Sequence, residues 1–109
     1  MTDSLHLRDR HRAIIEALVR EHLPDVEVWA YGSRVNGRSH EGSDLDLILR
    51  GPGLRKIPRD RIADFADALR ESTIPFLVEA RDWARVPERF HRQIEREHIV
   101  IIATGDSSE

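Results

Sequence analysis

One stretch of the chain, residues 31 to 49, restricts its possible folds more than any other: YGSRVNGRSHEGSDLDLIL. A Gly-Ser turn at 32–33 is followed by a loop with two arginines and then by the pair Asp44 and Asp46. The apolar run at 45–49 predicts a buried strand, on which alternate side chains point to opposite faces. The two carboxylates are therefore predicted to share one face, with Cβ atoms about 6–7 Å apart.

The rest of the chain predicts helices that alternate with strands, in the order helix, strand, short helix, strand, helix, strand, helix. Asp3 or Ser4 is the predicted cap of the first helix, and the apolar run at 99–102 is compatible with either a helix or a strand. The predicted elements are a helix at 5–22, a strand at 26–31, a short helix after the Gly-Ser turn, the strand at 45–49, a helix at 58–71, a strand at 74–80 and a last helix opened by Pro87. We therefore predict an α/β (α+β) fold, in which a small mixed sheet of about three to four strands is covered by helices. We expect a single domain over residues 1–109, with a flexible tail at about 104–109.

Charge and composition exclude several classes of protein. Lys and Arg number 17 against 20 Asp and Glu, a net charge of −3, so no broad attraction to nucleic acid is expected. Cysteine is absent, which excludes disulfides and thiolate metal sites. The sequence has neither the apolar core of a signal peptide nor a run of membrane-spanning length, and we predict a cytoplasmic protein with no membrane contact.

Asp44 and Asp46 predict a site for divalent cations. Two neighbouring carboxylates repel each other unless a positive charge lies between them. Mg²⁺ prefers oxygen ligands and usually shares them with phosphates, and two such ions can clamp both oxygens of an in-line displacement. Glu79, on the next predicted strand, faces the pair if the two strands are neighbours. We predict that it helps to hold the metal and takes the proton of an attacking hydroxyl.

The Gly-Ser turn predicts a phosphate-binding loop opposite these carboxylates. Gly32 permits a close backbone approach, and Ser33 adds a hydroxyl donor where the short helix begins. Arg34 and Arg38 are candidates for bidentate contact with phosphate oxygens. Ser43 is a further candidate, although its position favours capping the turn before the strand. Together these residues predict a site for a nucleoside triphosphate with two Mg²⁺ ions.

Gly-Ser, ten residues and Asp-x-Asp resemble the signature of nucleotidyltransferases related to DNA polymerase β. The resemblance covers nearly the whole chain, and the short length is similar to the minimal nucleotidyltransferase (MNT) family. Members of that family are commonly the antitoxin of a pair whose toxin has a HEPN domain. The third carboxylate of the family is usually Asp, whereas this chain has Glu79, whose longer side chain reaches a metal with a different geometry.

The resemblance implies transfer of AMP from ATP to a tyrosine of a cognate HEPN toxin. Because the chain ends soon after its predicted core, we expect another protein to supply the acceptor. The alternative is a non-catalytic antitoxin that neutralises its partner by stoichiometric binding. Nucleotide addition to an RNA end is disfavoured by the acidic net charge, and no stable nucleic-acid binding is expected.

Overall fold

The structure, a computed structural model, describes residues 5–40 and 42–103. The tail at 104–109 and the predicted caps Asp3 and Ser4 lie outside these ranges. Within them the chain forms helices and strands in alternation. In chain order these are α1 (Asp9–His22), β1 (Glu27–Tyr31), α2 (Ser33–Asn36), β2 (Leu45–Arg50), α3 (Arg59–Glu71), β3 (Val78–Asp82), α4 (Glu88–Arg96) and β4 (Ile99–Ile102). The predicted mixed α/β architecture is confirmed.

The four strands form one mixed sheet in the order β3-β2-β1-β4. β1 runs antiparallel to β2 and to β4, whereas β2 and β3 are parallel. A parallel pair requires a crossover connection, which α3 supplies. The strand that carries Asp46 therefore lies in the interior of the sheet, between the strand that precedes the Gly-Ser turn and the strand that carries Glu79.

One face of the sheet is covered by α1 and α3. Ile15, Val19 and Phe65 of these helices are buried in a cluster with the strand residues Leu47 and Leu49. Burial of a large aliphatic or aromatic side chain contributes about 1.5–3 kcal/mol, so this layer supplies most of the hydrophobic stabilisation.

The opposite face carries a second, smaller cluster that includes Trp29, Ile48, Trp83 and Ile94. The two indole rings meet edge to face with their centroids 5.5 Å apart. The guanidinium of Arg50 lies 4.1 Å from the Trp29 ring centroid and 4.6 Å from that of Trp83. Through this cluster, α4 and a short 3₁₀ turn at Trp83–Arg85 pack on the part of the face that carries Trp29 and Ile48. Tyr31, Asp46 and Glu79 lie further along the same face.

Two predicted boundaries were wrong. The first helix begins at Asp9 and not at residue 5, because residues 5–8 are tied to another segment by a hydrogen bond from His6 N to Arg34 O at 2.8 Å. The third strand begins at Val78 and not at residue 74. Ile74 N donates instead to Ser72 Oγ at 3.2 Å, and a proline follows at position 75, so this segment forms a turn before the strand.

The end of the described chain resolves the choice between helix and strand. α4 ends at Arg96, and Ile99–Ile102 is a strand that pairs with β1. Ile101 therefore belongs to the sheet, and the strand is the one of the two alternatives that forms. None of the helices formed by residues 5–40 and 42–103 has the length and apolarity needed to span a bilayer.

Candidate active site

The open half of the second face presents a row of three polar side chains. Tyr31 is the Cα partner of Asp46 across β1 and β2, and Asp46 is the partner of Glu79 across β2 and β3. Residues paired across a sheet project from the same face. Asp46 therefore lies between the phenol of Tyr31 and the carboxylate of Glu79. The two strands are neighbours, and Glu79 projects from the same face as Asp46, as the sequence predicts.

Asp44 is exposed just before the start of β2. It lies close enough to Asp46 for the two charges to interact. Asp46 thus interacts electrostatically with both of the other predicted carboxylates, Asp44 and Glu79.

The environment of Asp46 disfavours its charged form. Burial raises its pKa above the usual value for Asp, and the Glu79 carboxylate raises it further. Arg81 lowers the pKa, and Asp44 raises it. A cation bound beside Asp46 would favour its charged form.

Gly32 lies directly against the Asp46 carboxylate. Its φ of +86° belongs to the region that favours glycine, and a Cβ built on it would lie 2.5 Å from Asp46 Oδ2. Only glycine therefore permits this approach. The backbone that leads into α2 therefore passes close to the Asp46 carboxylate.

Glu79 and Tyr31 have a shared neighbour in Arg81. Arg81 donates to Glu79 Oε1 at 3.2 Å, and the side chains of Arg81 and Glu79 are 58% and 41% exposed. Burial raises the pKa of Tyr31, as does the nearby Asp46 charge. Glu79 is therefore accessible to solvent, with the guanidinium of Arg81 beside it.

The structure does not bring Arg34 to the nucleotide side, which corrects the expectation that it contacts phosphate. The residue is 2% exposed, and its guanidinium donates to His6 O at 2.7 Å and to Ser43 O at 2.8 Å. It also lies 4.0 Å from the centroid of the Phe76 ring. These contacts leave a phosphate no access, and Arg34 instead holds the loop that leads to β2.

Arg38 and Ser43 flank that loop. Arg38 is exposed, so its side chain remains available to a ligand. Ser43 Oγ accepts from His40 N at 2.9 Å, which makes it a turn-capping residue in this structure.

The donor atoms at the site suit Mg²⁺, which binds carboxylate oxygens. Within residues 5–40 and 42–103, no three side chains of the usual ligand types converge as a ready-made metal cluster. Mg²⁺ is commonly held by one or two carboxylates together with substrate phosphates, so Asp44 and Asp46 fit an ion that arrives with a nucleotide. The arrangement is suited to binding a metal–triphosphate complex beside a third carboxylate.

Sequence reasoning missed Tyr31 and Arg81. A local signal existed for each residue, because Tyr31 directly precedes the Gly-Ser turn and Arg81 follows Glu79 by two positions on one strand. Recognising them required the strand order, which places both beside Asp46.

Comparison with known proteins gives two sequence similarities. Residues 1–98 match the family model described as "Poly(A) RNA polymerase, mitochondrial-like, central palm domain". The chain is also 37% identical over 98 residues to the probable protein adenylyltransferase MntA of Haemophilus influenzae, a match that covers 89% of this chain and 83% of that protein.

A solved structure described as "Crystal structure of the toxin-antitoxin with AMP-PNP" has a similar fold. Its TM-score is 0.71 at 18% sequence identity, over 87% of this chain and 75% of that one. At this identity the similarity concerns the fold alone, and it agrees with the sheet and helix arrangement described above.

Proposed function

We propose that this chain moves AMP from ATP to a hydroxyl of a partner protein. The chain belongs to the minimal nucleotidyltransferases and to the family of the mitochondrial-like poly(A) RNA polymerase central palm domain. The observation that carries the proposal is the position of Asp46, which lies against Gly32 on one side and beside Glu79 on the other. A phosphate-binding turn, a metal ligand and a proton acceptor are thereby neighbours.

In this proposal Gly32 and Ser33 hold the β- and γ-phosphates through the turn. Asp44 and Asp46 hold Mg²⁺, and Arg38 contributes an exposed positive charge to the phosphates. Bound Mg²⁺ supplies charge neutralisation on the triphosphate. The chain itself supplies position and orientation, on which phosphoryl transfer largely depends.

The reaction forms one bond and breaks another. The acceptor oxygen bonds to the α-phosphorus of ATP, and the bond from that phosphorus to the oxygen bridging to the β-phosphate breaks. Pyrophosphate leaves with the bonding electron pair, and the hydroxyl proton passes to the carboxylate of Glu79. Arg81 donates a hydrogen bond to Glu79 Oε1 at 3.2 Å and so helps to orient that carboxylate.

The relatives support the choice of nucleotide and of partner. A relative described as a probable protein adenylyltransferase supports ATP as the donor and a protein as the acceptor. A toxin–antitoxin complex with AMP-PNP, similar in fold, supports an antitoxin role. We propose a tyrosine of a cognate HEPN toxin as the acceptor, whose adenylylation silences that toxin.

The proposal is tested by incubating the protein with Mg²⁺, ATP labelled on the α-phosphate, and a cognate HEPN toxin. Label is expected on the toxin, and none should appear when the γ-phosphate carries it. The Asp44→Asn/Asp46→Asn variant should transfer nothing. Absence of transfer by the wild type, or equal transfer by the double variant, overturns the enzymatic proposal.

The second candidate function is neutralisation by stoichiometric binding. Two observations favour it: Glu79 stands where the family usually has Asp, and its carboxylate is paired with Arg81. In cells that express the toxin, the double Asp variant would then protect as well as the wild type. Loss of protection by a variant that still binds the toxin excludes this candidate.

A further inference from the structure

Tyr31 is a polar residue of the active site to which the proposed reaction assigns no role. It is the only tyrosine of the chain, and its Cα partner across β1 and β2 is Asp46. Residues paired in this way have Cβ atoms about 4.5–5.5 Å apart and project from the same face of the sheet. The phenol therefore lies beside the carboxylate that is proposed to hold Mg²⁺.

Packing restricts the ring of Tyr31. The residue is half-buried, and it packs against the second hydrophobic cluster, which lies on the same face of the sheet. Tyr31 also lines two depressions of the surface, one together with Gly32 and the other together with Arg81. It therefore lies between the turn that is proposed to bind phosphate and the strand that carries the proton acceptor.

The hydroxyl of Tyr31 has no hydrogen-bond partner among residues 5–40 and 42–103. In the same part of the chain, the buried polar side-chain atoms that lack a partner are Arg50 Nε and Arg85 Nε, so the Tyr31 hydroxyl reaches solvent. The polar end of a largely buried tyrosine usually finds a partner. This hydroxyl is therefore available to a ligand that enters the site.

Tyr31 differs from its neighbours in the row because it is a hydrogen-bond donor. The ionised carboxylates of Asp46 and Glu79 accept hydrogen bonds and cannot donate them. Burial and the Asp46 charge raise the pKa of Tyr31, so the phenol keeps its proton at neutral pH. Arg81, the neighbouring cation, already donates to Glu79 Oε1 at 3.2 Å. A phosphate oxygen placed over this row therefore has a donor in Tyr31.

The proposed reaction places the α-phosphate of ATP over Asp46. An in-line displacement has the leaving pyrophosphate and the acceptor oxygen on opposite sides of the phosphorus. With pyrophosphate at Gly32 and the acceptor's proton passing to Glu79, the phosphorus lies between these two residues. Asp46 occupies that position in the sheet, and Tyr31 is its neighbour on β1.

We infer that the Tyr31 hydroxyl donates a hydrogen bond to a non-bridging oxygen of the α-phosphate of the bound nucleotide. The contact would hold the phosphorus in place for attack. The inference deepens the proposed function, on which it rests for the identity of the ligand. The alternative partners of the hydroxyl are the acceptor tyrosine of the toxin and the Asp46 carboxylate, and the measurements below distinguish them.

The contact is measured without catalysis by calorimetric titration with the two diastereomers of ATPαS, each of which has sulfur in place of a different non-bridging oxygen. Sulfur accepts hydrogen bonds weakly, so the isomer whose sulfur faces Tyr31 should bind the wild type about 10-fold more weakly than ATP does. The loss should remain when Cd²⁺ replaces Mg²⁺, because a soft metal compensates only for sulfur that it binds itself. In Tyr31→Phe, ATP and this isomer should bind equally.

Two variants separate this contact from a general loss of affinity. Tyr31→Phe removes the hydroxyl and keeps the ring, and its urea unfolding midpoint should equal that of the wild type because the hydroxyl makes no hydrogen bond in the folded protein. Ser33→Ala is the comparison, because it removes a hydroxyl that is proposed to contact the β- and γ-phosphates. It should weaken ATP and both isomers by the same factor and keep the difference between the isomers.

Several results would overturn the inference. The first is a wild type that binds both isomers as tightly as ATP, and the second is a Tyr31→Phe variant in which the loss with the one isomer persists. A Tyr31→Phe variant with normal ATP affinity and a raised KM for the toxin would assign the hydroxyl to the acceptor. A much less stable Tyr31→Phe variant would assign it to Asp46 as a structural contact.

Failure of the inference and failure of the proposed function give different results. If the isomer difference is present in the wild type and lost in Tyr31→Phe, but the wild type transfers no AMP, the proposed function is refuted and the contact with the α-phosphate remains. If the wild type transfers AMP and Tyr31→Phe keeps the isomer difference, the proposed function remains and the inference is refuted.

Discussion

Gly32 and Asp46 are in contact across the junction of β1 and α2 with β2, so closely that a single added carbon on Gly32 would lie 2.5 Å from Asp46 Oδ2. The turn that is proposed to hold phosphate and the carboxylate that is proposed to hold the metal are therefore one structural unit. Because the two are in such close contact, the geometry of the site can be tested by changing a residue that carries no charge.

Gly32→Ala should abolish transfer. The backbone at Gly32 has φ +86° and ψ −155°, a region that costs a residue with a side chain about 1–3 kcal/mol, and its new Cβ would also displace Asp46. We expect transfer to fall by about 100-fold or more, since small misplacements in such sites have effects of this size. Gly37→Ala is the control, because Gly37 also has a positive φ of +83° but an added Cβ would meet nothing within 4 Å. Equal activity losses in the two variants would show that strain, and not contact with Asp46, is responsible.

Glu79 should be required for chemistry and dispensable for nucleotide binding. Glu79→Gln keeps the size of the side chain but cannot accept the proton, so kcat should fall about 10²–10⁴-fold while the affinity for Mg²⁺–AMP-PNP is kept. Glu79→Asp restores the carboxylate of the wider family and should keep a large share of the activity. Rapid-quench measurement of AMP transfer compares the variants, and full activity of Glu79→Gln would exclude a role as proton acceptor.

Substitution of Arg34 should lower stability, whereas substitution of Arg38 should weaken nucleotide binding. Arg34→Met leaves the carbonyl oxygens of His6 and Ser43 without their donor in a buried position and should cost about 2–4 kcal/mol in unfolding free energy. Arg38→Met, at an exposed position, should change stability by less than about 0.5 kcal/mol and weaken nucleotide binding. Urea unfolding and calorimetric titration measure both quantities. If Arg34→Met weakened nucleotide binding and left stability unchanged, Arg34 would be a phosphate-binding residue.

Stability should depend on pH through Asp46. Its pKa is raised in the folded protein, so the folded state holds the proton more tightly than the unfolded state does. The resulting stabilisation is present below the unfolded value of about 3.9 and is lost as pH rises through the raised value. In EDTA, Asp46→Asn should therefore gain stability relative to wild type between pH 4 and pH 7, as followed by urea unfolding. With added Mg²⁺ and AMP-PNP at pH 7, the wild type should instead be more stable than Asp46→Asn. A variant that is much less stable than wild type in EDTA would make Asp46 a structural residue.

Much of the architecture could be predicted from the sequence because its signals are local. Alternation along β2, Pro87 before α4 and the Gly-Ser turn each act within a few residues, and each predicts the element that forms there. The pairing of Asp46 with Glu79 followed from alternation once the two strands were assumed to be neighbours.

The remaining features depend on contacts between distant segments. The sequence predicts Arg34 as an exposed loop residue. In the structure it is buried by contacts with His6, Ser43 and Phe76. β3 begins later than predicted because the backbone N–H of Ile74 donates to Ser72 Oγ and not to a neighbouring strand. No periodic pattern along the sequence indicates such pairings between distant residues.

The central claim is tested most directly by crystals grown with Mn²⁺ and a non-hydrolysable ATP analogue, in which anomalous scattering locates the metal. We predict a Mn²⁺ peak bonded to carboxylate oxygens of Asp44 and Asp46 and to the triphosphate, with the β- and γ-phosphates against the backbone of Gly32 and Ser33. A well-ordered triphosphate bound elsewhere, or one at Gly32 with no metal on either aspartate, would contradict the account.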